Sequence, residues 1–335
     1  MRIALDAMGG DFAPAHPVHA AVEALRNFPA IARLILVGDE AKLRHELARH
    51  GVVPTGRLHL VHTTQVVEMH DSPVEAVRKK KDSSLCRAVE LVRDGKADAI
   101  VSAGNTGALL AASTIRLRTL PGVDRAALAV VVPKRDGIFV LMDAGASVDA
   151  KPENLVDYAV MGEAYCRHIL RTPDPKIGVL SNGAEEGKGS ALSCAAYHLL
   201  KDTPVNFIGN IEGHALFEGA ADVVVCDGFV GNIVLKTIES LSKTTFKIIK
   251  DELTANFVRL AGAMLVRSAF QNISKKFNAD AGGGALLLGV NGIVIKAHGS
   301  SSVPALFNSL RVAVEAVDNQ VNPHIVENIA KVHNL

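Results

Sequence analysis

The sequence predicts an α/β protein: a three-layer α/β/α unit on a mostly parallel but mixed sheet, with two long helices protruding from it. Three observations predict this. Short β-branched runs alternate with helical patterns, two runs near residues 129 and 140 stand too close together for a crossover helix, and apolar residues recur at helical spacing between about 228 and 277.

The chain opens on the strand-like Arg2-Ile3-Ala4-Leu5. Further strand runs stand at Leu34 to Val37, Ala99 to Ser102, Ala129 to Val132, Phe139 to Met142, Ile177 to Leu180, Val223 to Val225 and Ile293 to Ile295. The runs around 129 and 140, joined by Pro133-Lys134-Arg135-Asp136-Gly137, predict a hairpin and so a mixed sheet. Ser72-Pro73-Val74-Glu75 combines a capping box with proline at the first helical position, and that helix ends in Arg78-Lys79-Lys80-Lys81. Val234, Ile238, Leu241, Ile249, Leu253, Phe257, Leu260 and Met264 fit the helical period and predict two long helices broken near Thr254 to Asn256. The 335 residues read as one unit, or as two interleaved subdomains of about 1–150 and 151–335 divided near Lys151-Pro152, with 229–277 a helical pair for dimer or membrane contact.

With 48% hydrophobic residues the chain can build a large core, which leaves disorder only for its ends. Its 36 basic residues stand against 35 acidic ones, so it lacks the field of a nonspecific nucleic-acid binder and no nucleic acid is expected as a partner. Cys86, Cys166, Cys194 and Cys226 form no CxxC pair, which disfavours a zinc site or disulfide framework and suits a reducing cytoplasm. The first residues lack the order of a secretory signal, and no apolar run has the length of a transmembrane helix. Any membrane contact is expected from the surface.

Five strand ends run into Gly-rich turns that deliver small polar residues toward a helix start, where free backbone N–H groups bind phosphate-like anions. They are Asp6 to Asp11, Ala103 to Gly107, Ser181 to Ser190, Asp227 to Asn232 and His298 to Ser302. One such loop reads as an ordinary turn and cap; five in one chain predict a phosphate-centred site at the carboxyl ends of strands. Asp6, Gly9, Gly10, Gly104, Asn105, Thr106, Gly187, Gly231 and Ser300 are its expected binding residues. Lys188 reads as a point charge for phosphate, or as a surface lysine paired with Glu185 or Glu186. His298 is the candidate for proton transfer or for donating to an oxyanion, although a lone histidine is more often structural, and Lys188 and Asn232 complete the expected catalytic set. The 181–190 loop contains neither GxGxxG nor GxxxxGK[ST]. Asp6, Asp11, Asp143 and Asp227 match no metal loop and are explained by strand-end capping, so no metal is expected.

Together these segments resemble the phosphate acyltransferase family. The stretches that carry the resemblance are DAMGGD at 6–11, DSPVEAVRKKKDSS at 71–84, SAGNTGAL at 102–109, MDAGA at 142–146 and SNGAEEGKG at 181–189. GNIEG at 209–213, DGFVGNIVLKTIE at 227–239 and GGGALLLGVNGIVIKAHGSS at 282–301 extend it over almost the whole chain. The resemblance implies a fold similar to that of isocitrate and isopropylmalate dehydrogenases, usually as a homodimer and without a nicotinamide cofactor. It also implies transfer of a long-chain acyl group from acyl carrier protein to inorganic phosphate, giving acyl phosphate for a membrane-bound glycerol-3-phosphate acyltransferase. No cofactor is expected.

On this reading phosphate attacks the thioester directly; the competing route is an acyl-cysteine at Cys194 or Cys226, whose apolar surroundings would raise a thiol pKa. A phosphotransacetylase-like enzyme using acyl-coenzyme A and a membrane-surface scaffold are the competing classes. Arg78, Lys79, Lys80 and Lys81 read as a dock for the acidic carrier protein, or as charges complementing a helix dipole. Eight basic residues between Lys236 and Lys276, against three acidic ones, suggest anionic headgroups as partners, with Leu253, Phe257, Leu260 and Met264 entering the lipid boundary at the inner face of the cytoplasmic membrane. The same apolar stripe also reads as a homodimer interface, since helical stripes are more often core than lipid anchors, and the two readings are compatible.

Overall fold

Alternation in the first strand sets the layers. In β1 (Arg2–Asp6) Ile3 and Leu5 point into one apolar cluster while Ala4 and Asp6 point to the other side. A computed structural model describes residues 1–276 and 283–333. Phe277, at the end of the expected helical segment, and Gly282, which opens the 282–301 stretch, lie outside the described residues, as do the side chains of Lys275 and Lys276.

After β1 come α1 (Ala15–Asn27), β2 (Arg33–Gly38), α2 (Glu40–Arg49), β3 (Leu58–His62), α3 (Pro73–Lys79), α4 (Ser84–Arg93), β4 (Ala99–Ser102) and α5 (Thr106–Leu117). The hairpin β5 (Ala127–Lys134) and β6 (Gly137–Met142) follows, then α6 (Pro152–His168), β7 (Ile177–Leu180), α7 (Ala191–Lys201), β8 (Phe207–Ile211) and β9 (Val223–Val225). The chain closes with α8 (Gly228–Leu253), α9 (Phe257–Leu265), α10 (Arg267–Lys276), β10 (Ala285–Leu288), β11 (Ile293–Lys296), α11 (Val303–Asp318) and α12 (Val321–His333).

One sheet runs β3-β2-β1-β4-β11-β10-β5-β6-β9-β7-β8. Pairing is parallel except at β11–β10, β10–β5 and β5–β6. Those three reversals have a geometric consequence. β1, β2, β3, β4 and β11 run one way, whereas β6, β7, β8 and β9 run the other, so their carboxyl ends emerge at opposite ends of the strands. β6 precedes Lys151 yet pairs with β9, and β10 and β11 follow it yet pair with β5 and β4.

One face of the sheet is covered by α1, α2, α6, α7, α11 and α12, the other by α3, α4, α5 and the first turns of α8, whose Val234, Leu235 and Ile238 pack there. Fully burying a side chain such as Ile3 or Leu36 contributes about 1.5–3 kcal/mol, and the two clusters together account for the three layers.

The hairpin turns through Arg135 and Asp136, as expected. Three strands were not expected: β3 and β10, and β8, where Gly209 and Asn210 interrupt the apolar run. The capping box at Ser72 does not form. Pro73 does occupy the first helical position, but the Ser72 side chain caps nothing and Glu75 pairs forward with Lys79. The helical arm breaks at Thr254–Asn256, where Asn256 Oδ1 accepts from Arg259 N at 2.9 Å. Its second part is two helices, because a further break falls at Val266.

Candidate active site

Asp6, Ser102 and Lys296 are the last residues of three adjacent parallel strands and stand in direct register. In-register residues of parallel strands share a face, here the one covered by α4, α5 and α8. Asp6 Oδ2 accepts from Ser102 Oγ at 2.7 Å, and Ser102 Oγ in turn accepts from Gly104 N at 3.1 Å. A Cβ on Gly9 would stand 2.5 Å from Asp6 Oδ2 and 2.7 Å from Gly104 N, so the 6–11 and 103–107 loops can close over Asp6 only as glycine. Gly10, at φ +95°, brings Asp11 N to 2.8 Å from Gly299 O and joins the 298–302 loop to the other two. Burial pushes the Asp6 carboxyl up, opposed by its hydrogen bonds from Ser102 and Ser84 and by the Lys296 charge.

His298 completes this end. Its Nδ1 accepts from Ser300 N at 3.2 Å and lies 2.9 Å from Ser300 Oγ. Because a backbone N–H can only donate, Nδ1 must carry a lone pair, and the neutral ring keeps its proton on Nε2. Desolvation holds the His298 pKa below the usual histidine range, assisted by Lys236, Lys296 and Lys243 and opposed by Glu239. The ring therefore keeps an Nε2–H donor, in the field of charges carried by α8. Lys236, 3.5 Å from Glu239, also lines an open groove of about 540 Å³ with Asn232, Thr237 and Ser240.

The other carboxyl ends are arranged differently. Asp143 is fully buried, and its two oxygens accept from Leu128, Gly145, Ala146 and Ser147 N at 2.7–3.0 Å. Asp227 caps α8 through Phe229 and Val230 N. A Cβ on Gly231 would fall 1.9 Å from the Asp143 carbonyl oxygen, so glycine is what lets the helix start against this loop and set Asn232 beside Gly145. Lys188 is exposed and pairs with neither Glu185 nor Glu186; Glu186 instead meets Lys201 at 3.2 Å. The Lys188 carbonyl accepts from Ser181 Oγ at 3.0 Å, and Asn210 Nδ2 spans the carbonyls of Glu185 and Lys188.

The five loops thus do not converge at one end of the strands. Asp6, Gly9, Gly10, Gly104, Asn105, Thr106, His298 and Ser300 belong to one cluster; Lys188, Gly187, Gly231 and Asn232 lie at the opposite strand ends. α8 spans the two, starting beside Asp143 and carrying Asn232 and then Lys236 toward His298. Asn105 differs from the expected side-chain donor to phosphate. Its Oδ1 caps α5 at Ala108 N, and its Nδ2 is engaged by the carbonyls of Glu68, Met69 and Asp71. Among the described residues no cluster of three or more metal-ligating side chains occurs.

A family model described as fatty acid synthesis protein matches residues 1–324. A phosphate acyltransferase of Pelotomaculum thermopropionicum is 46% identical over 332 residues, 99% of this chain and 96% of that protein. Another, of Desulfitobacterium hafniense, is 49% identical over 320 residues, 95% of each chain. The chain belongs to the phosphate acyltransferase family. It is an acyltransferase. A phosphotransacetylase from Streptococcus pyogenes superposes with a TM-score of 0.62 at 19% identity, covering 96% of this chain and 94% of that one. A 4-hydroxythreonine-4-phosphate dehydrogenase from Klebsiella pneumoniae gives 0.52 at 14% identity, covering 95% and 98%. These two likenesses concern the fold, and the second agrees with the expected dehydrogenase-like α/β/α architecture.

Two surfaces of this acyltransferase remain. Within the basic run, exposed at Arg78, Lys79 and Lys81, Lys79 pairs with Glu75 and Lys80 with Asp71 at 2.6 Å, whereas Arg78 and Lys81 make no ion pair among the described residues. On α9 no residue is buried: Phe257 is 85% and Met264 67% exposed, with Leu260 on the same helix face, while Leu253 at the end of α8 is half-buried. Lys236 and Lys243, read from the sequence as facing headgroups, also contribute to holding the His298 pKa down. Among the described residues no helix is long and apolar enough to cross a membrane. Sequence reading missed Lys296 because the β11 run was ended at Ile295. The signal was present, since Lys296 stands two residues after Val294 on the buried face and two before His298.

Proposed function

We propose that this acyltransferase transfers a long-chain fatty acyl group from the thioester of acyl carrier protein to inorganic phosphate, forming acyl phosphate. The observation that carries the reading is the neutral His298, whose Nδ1 accepts from Ser300 N and so leaves the proton on Nε2, in surroundings where Lys236, Lys243 and Lys296 supply positive charge. A phosphate oxygen attacks the thioester carbonyl carbon, the C–S bond breaks, and the thiolate takes up the proton that hydrogen phosphate loses. A thiolate leaves readily, so orientation of two anionic partners and stabilisation of the carbonyl oxyanion dominate. One preorganised donor in that role contributes about 3 kcal/mol. An acyl-cysteine route is disfavoured at Cys226, whose thiol is pushed well up by burial and by Asp227 and Asp143.

Lys188 and Asn232 complete the proposed catalytic set from the opposite strand ends, Asn232 on the first turn of α8. The loop glycines Gly9, Gly10, Gly104, Gly187 and Gly231 and the Thr106 and Ser300 positions frame it, with Arg78 to Lys81 meeting the carrier protein. The same proposal makes the chain a homodimer whose arm rests peripherally on the inner face of the cytoplasmic membrane and passes acyl phosphate to a membrane-bound glycerol-3-phosphate acyltransferase. The exposed Phe257, Leu260 and Met264 support it. Replacing Leu260 and Met264 by glutamate is expected to reduce sedimentation with anionic vesicles while soluble activity persists; loss of the dimer or of soluble activity would make the stripe structural.

The deciding assay follows consumption of acyl carrier protein thioester with and without phosphate, and appearance of acyl phosphate. Phosphate-independent consumption, or a faster rate with acyl-coenzyme A, overturns the reading.

A further inference from the structure

We propose that Lys296 is a phosphate-binding residue of this site, a buried ammonium that meets the acceptor oxyanion directly while the Asp6 carboxylate balances part of its charge. This inference rests on the functional reading above and adds a residue to it. Lys296 is 7% exposed at the end of β11 and shares its face and register row with Ser102 and Asp6. An ammonium has three donors, and among the described residues only the Ala297 carbonyl accepts from this one. A buried cation without full neutralisation is costly unless a ligand or counterion meets it. The groups that face it are Asp6 from β1, Asp11 from the following loop, Lys236 from α8 and His298 two residues on. Asp6 is closed off beneath Gly9 and Gly104, so it can balance the lysine but cannot occupy the place of a substrate. What remains is a cation lying between three Gly-rich loops and a lysine-bearing helix face, a combination suited to a small tetrahedral oxyanion.

The same surroundings set a pH response. Desolvation and Lys236 bring the Lys296 pKa down to about 8, against the upward pull of Asp6 and Asp11. The charged form is full below that value and is lost as pH rises through it. Oxyanion affinity should therefore fall above about pH 8, by up to about tenfold per pH unit.

The test measures binding of inorganic phosphate alone to the full chain by calorimetry, across pH, with folding checked by circular dichroism. Lys296→Met is expected to weaken phosphate binding about ten- to hundredfold at pH 7, the range of a charge-assisted hydrogen bond. Lys296→Arg should bind near the wild-type level and lose the alkaline fall, because guanidinium stays charged. Asp6→Asn should move the fall to lower pH, since it removes a charge that raises the lysine pKa. Unchanged binding in folded Lys296→Met, an alkaline fall that persists in Lys296→Arg, or no phosphate binding by the wild type would each overturn the proposal. Should Lys296→Arg misfold, Lys296→Gln with the Asp6→Asn pH shift carries the same decision. The functional reading fails separately, when phosphate binds through Lys296 yet no carrier thioester is consumed.

Discussion

The two sets of strand ends carry the same vocabulary, an aspartate after a strand and glycine turns leading to a helix, and they use it in opposite ways. At the end of β6 every oxygen of Asp143 is satisfied by backbone N–H groups, and Asp227 is committed to capping α8. At the ends of β1, β4 and β11 the carboxylate is sealed below glycine, while His298 Nε2 and the Lys296 ammonium keep donors to offer. A saturated polar cluster builds structure; one with surplus donors can receive a ligand.

The largest effect that tests this contrast is at His298. His298→Ala is expected to lower kcat about 10²–10³-fold with little change in the KM for phosphate, as for loss of an oxyanion donor. Protonation would leave Nε2–H in place but end the acceptance of Ser300 N by Nδ1 and so disturb the ring's setting; because the ring pKa lies below the usual range, any such acid loss of activity should appear only below about pH 6.5. An unchanged kcat in the folded variant would remove His298 from the chemistry.

Asp143→Ala should instead act on stability. Four N–H groups, one buried and three part-buried, lose their acceptor, at about 1–3 kcal/mol for each left unsatisfied, so a loss of about 3 kcal/mol is expected in urea unfolding. A variant that unfolds like the wild type but has lost turnover would erase the distinction between the two ends.

Lys188→Ala and Asn232→Ala sharpen it further. If α8 links the ends into one phosphate site, both should raise the phosphate KM about tenfold, the effect of one weakened charge-assisted contact. Wild-type saturation curves in both variants would confine phosphate to the His298 end.

Much of this was legible from the sequence because it follows from local chemistry. Strand runs such as Leu34–Val37 and Val223–Val225 are β-branched and apolar, and the Pro133–Gly137 interval allows only a hairpin. The break at Asn256 is visible because its side chain can cap the next helix. The direction of each half of the sheet was not legible, since it depends on β10, whose pairing between β5 and β11 is made across more than 150 residues from β5 and has no local signature. Without that reversal all five loops would open at one end. Asn105 was misjudged for a related reason: its carbonyl partners at 68–71 are brought to it by the tertiary fold.

Those same carbonyls give the smallest prediction a direction. Asn105 ties the segment before α3 to the loop after β4, so a carrier protein seated on α3 would deliver its thioester to the His298 end rather than to Lys188. In α3 and just beyond it, Lys79 and Lys80 are held by Glu75 and Asp71, which leaves Arg78 and Lys81 to face an acidic partner. Reversing charge with Arg78→Glu and Lys81→Glu should slow association with acyl carrier protein several-fold at low salt and much less at high salt, because exposed charges are screened within about 10 Å at 0.1 M. Lys79→Glu, which only breaks an exposed pair, should have the weaker effect. Stopped-flow association rates at two ionic strengths check this. Equal effects of all three reversals, or rates independent of salt, would reduce the run to charges that complement the end of a helix, and the carrier would have to approach from the Lys188 side.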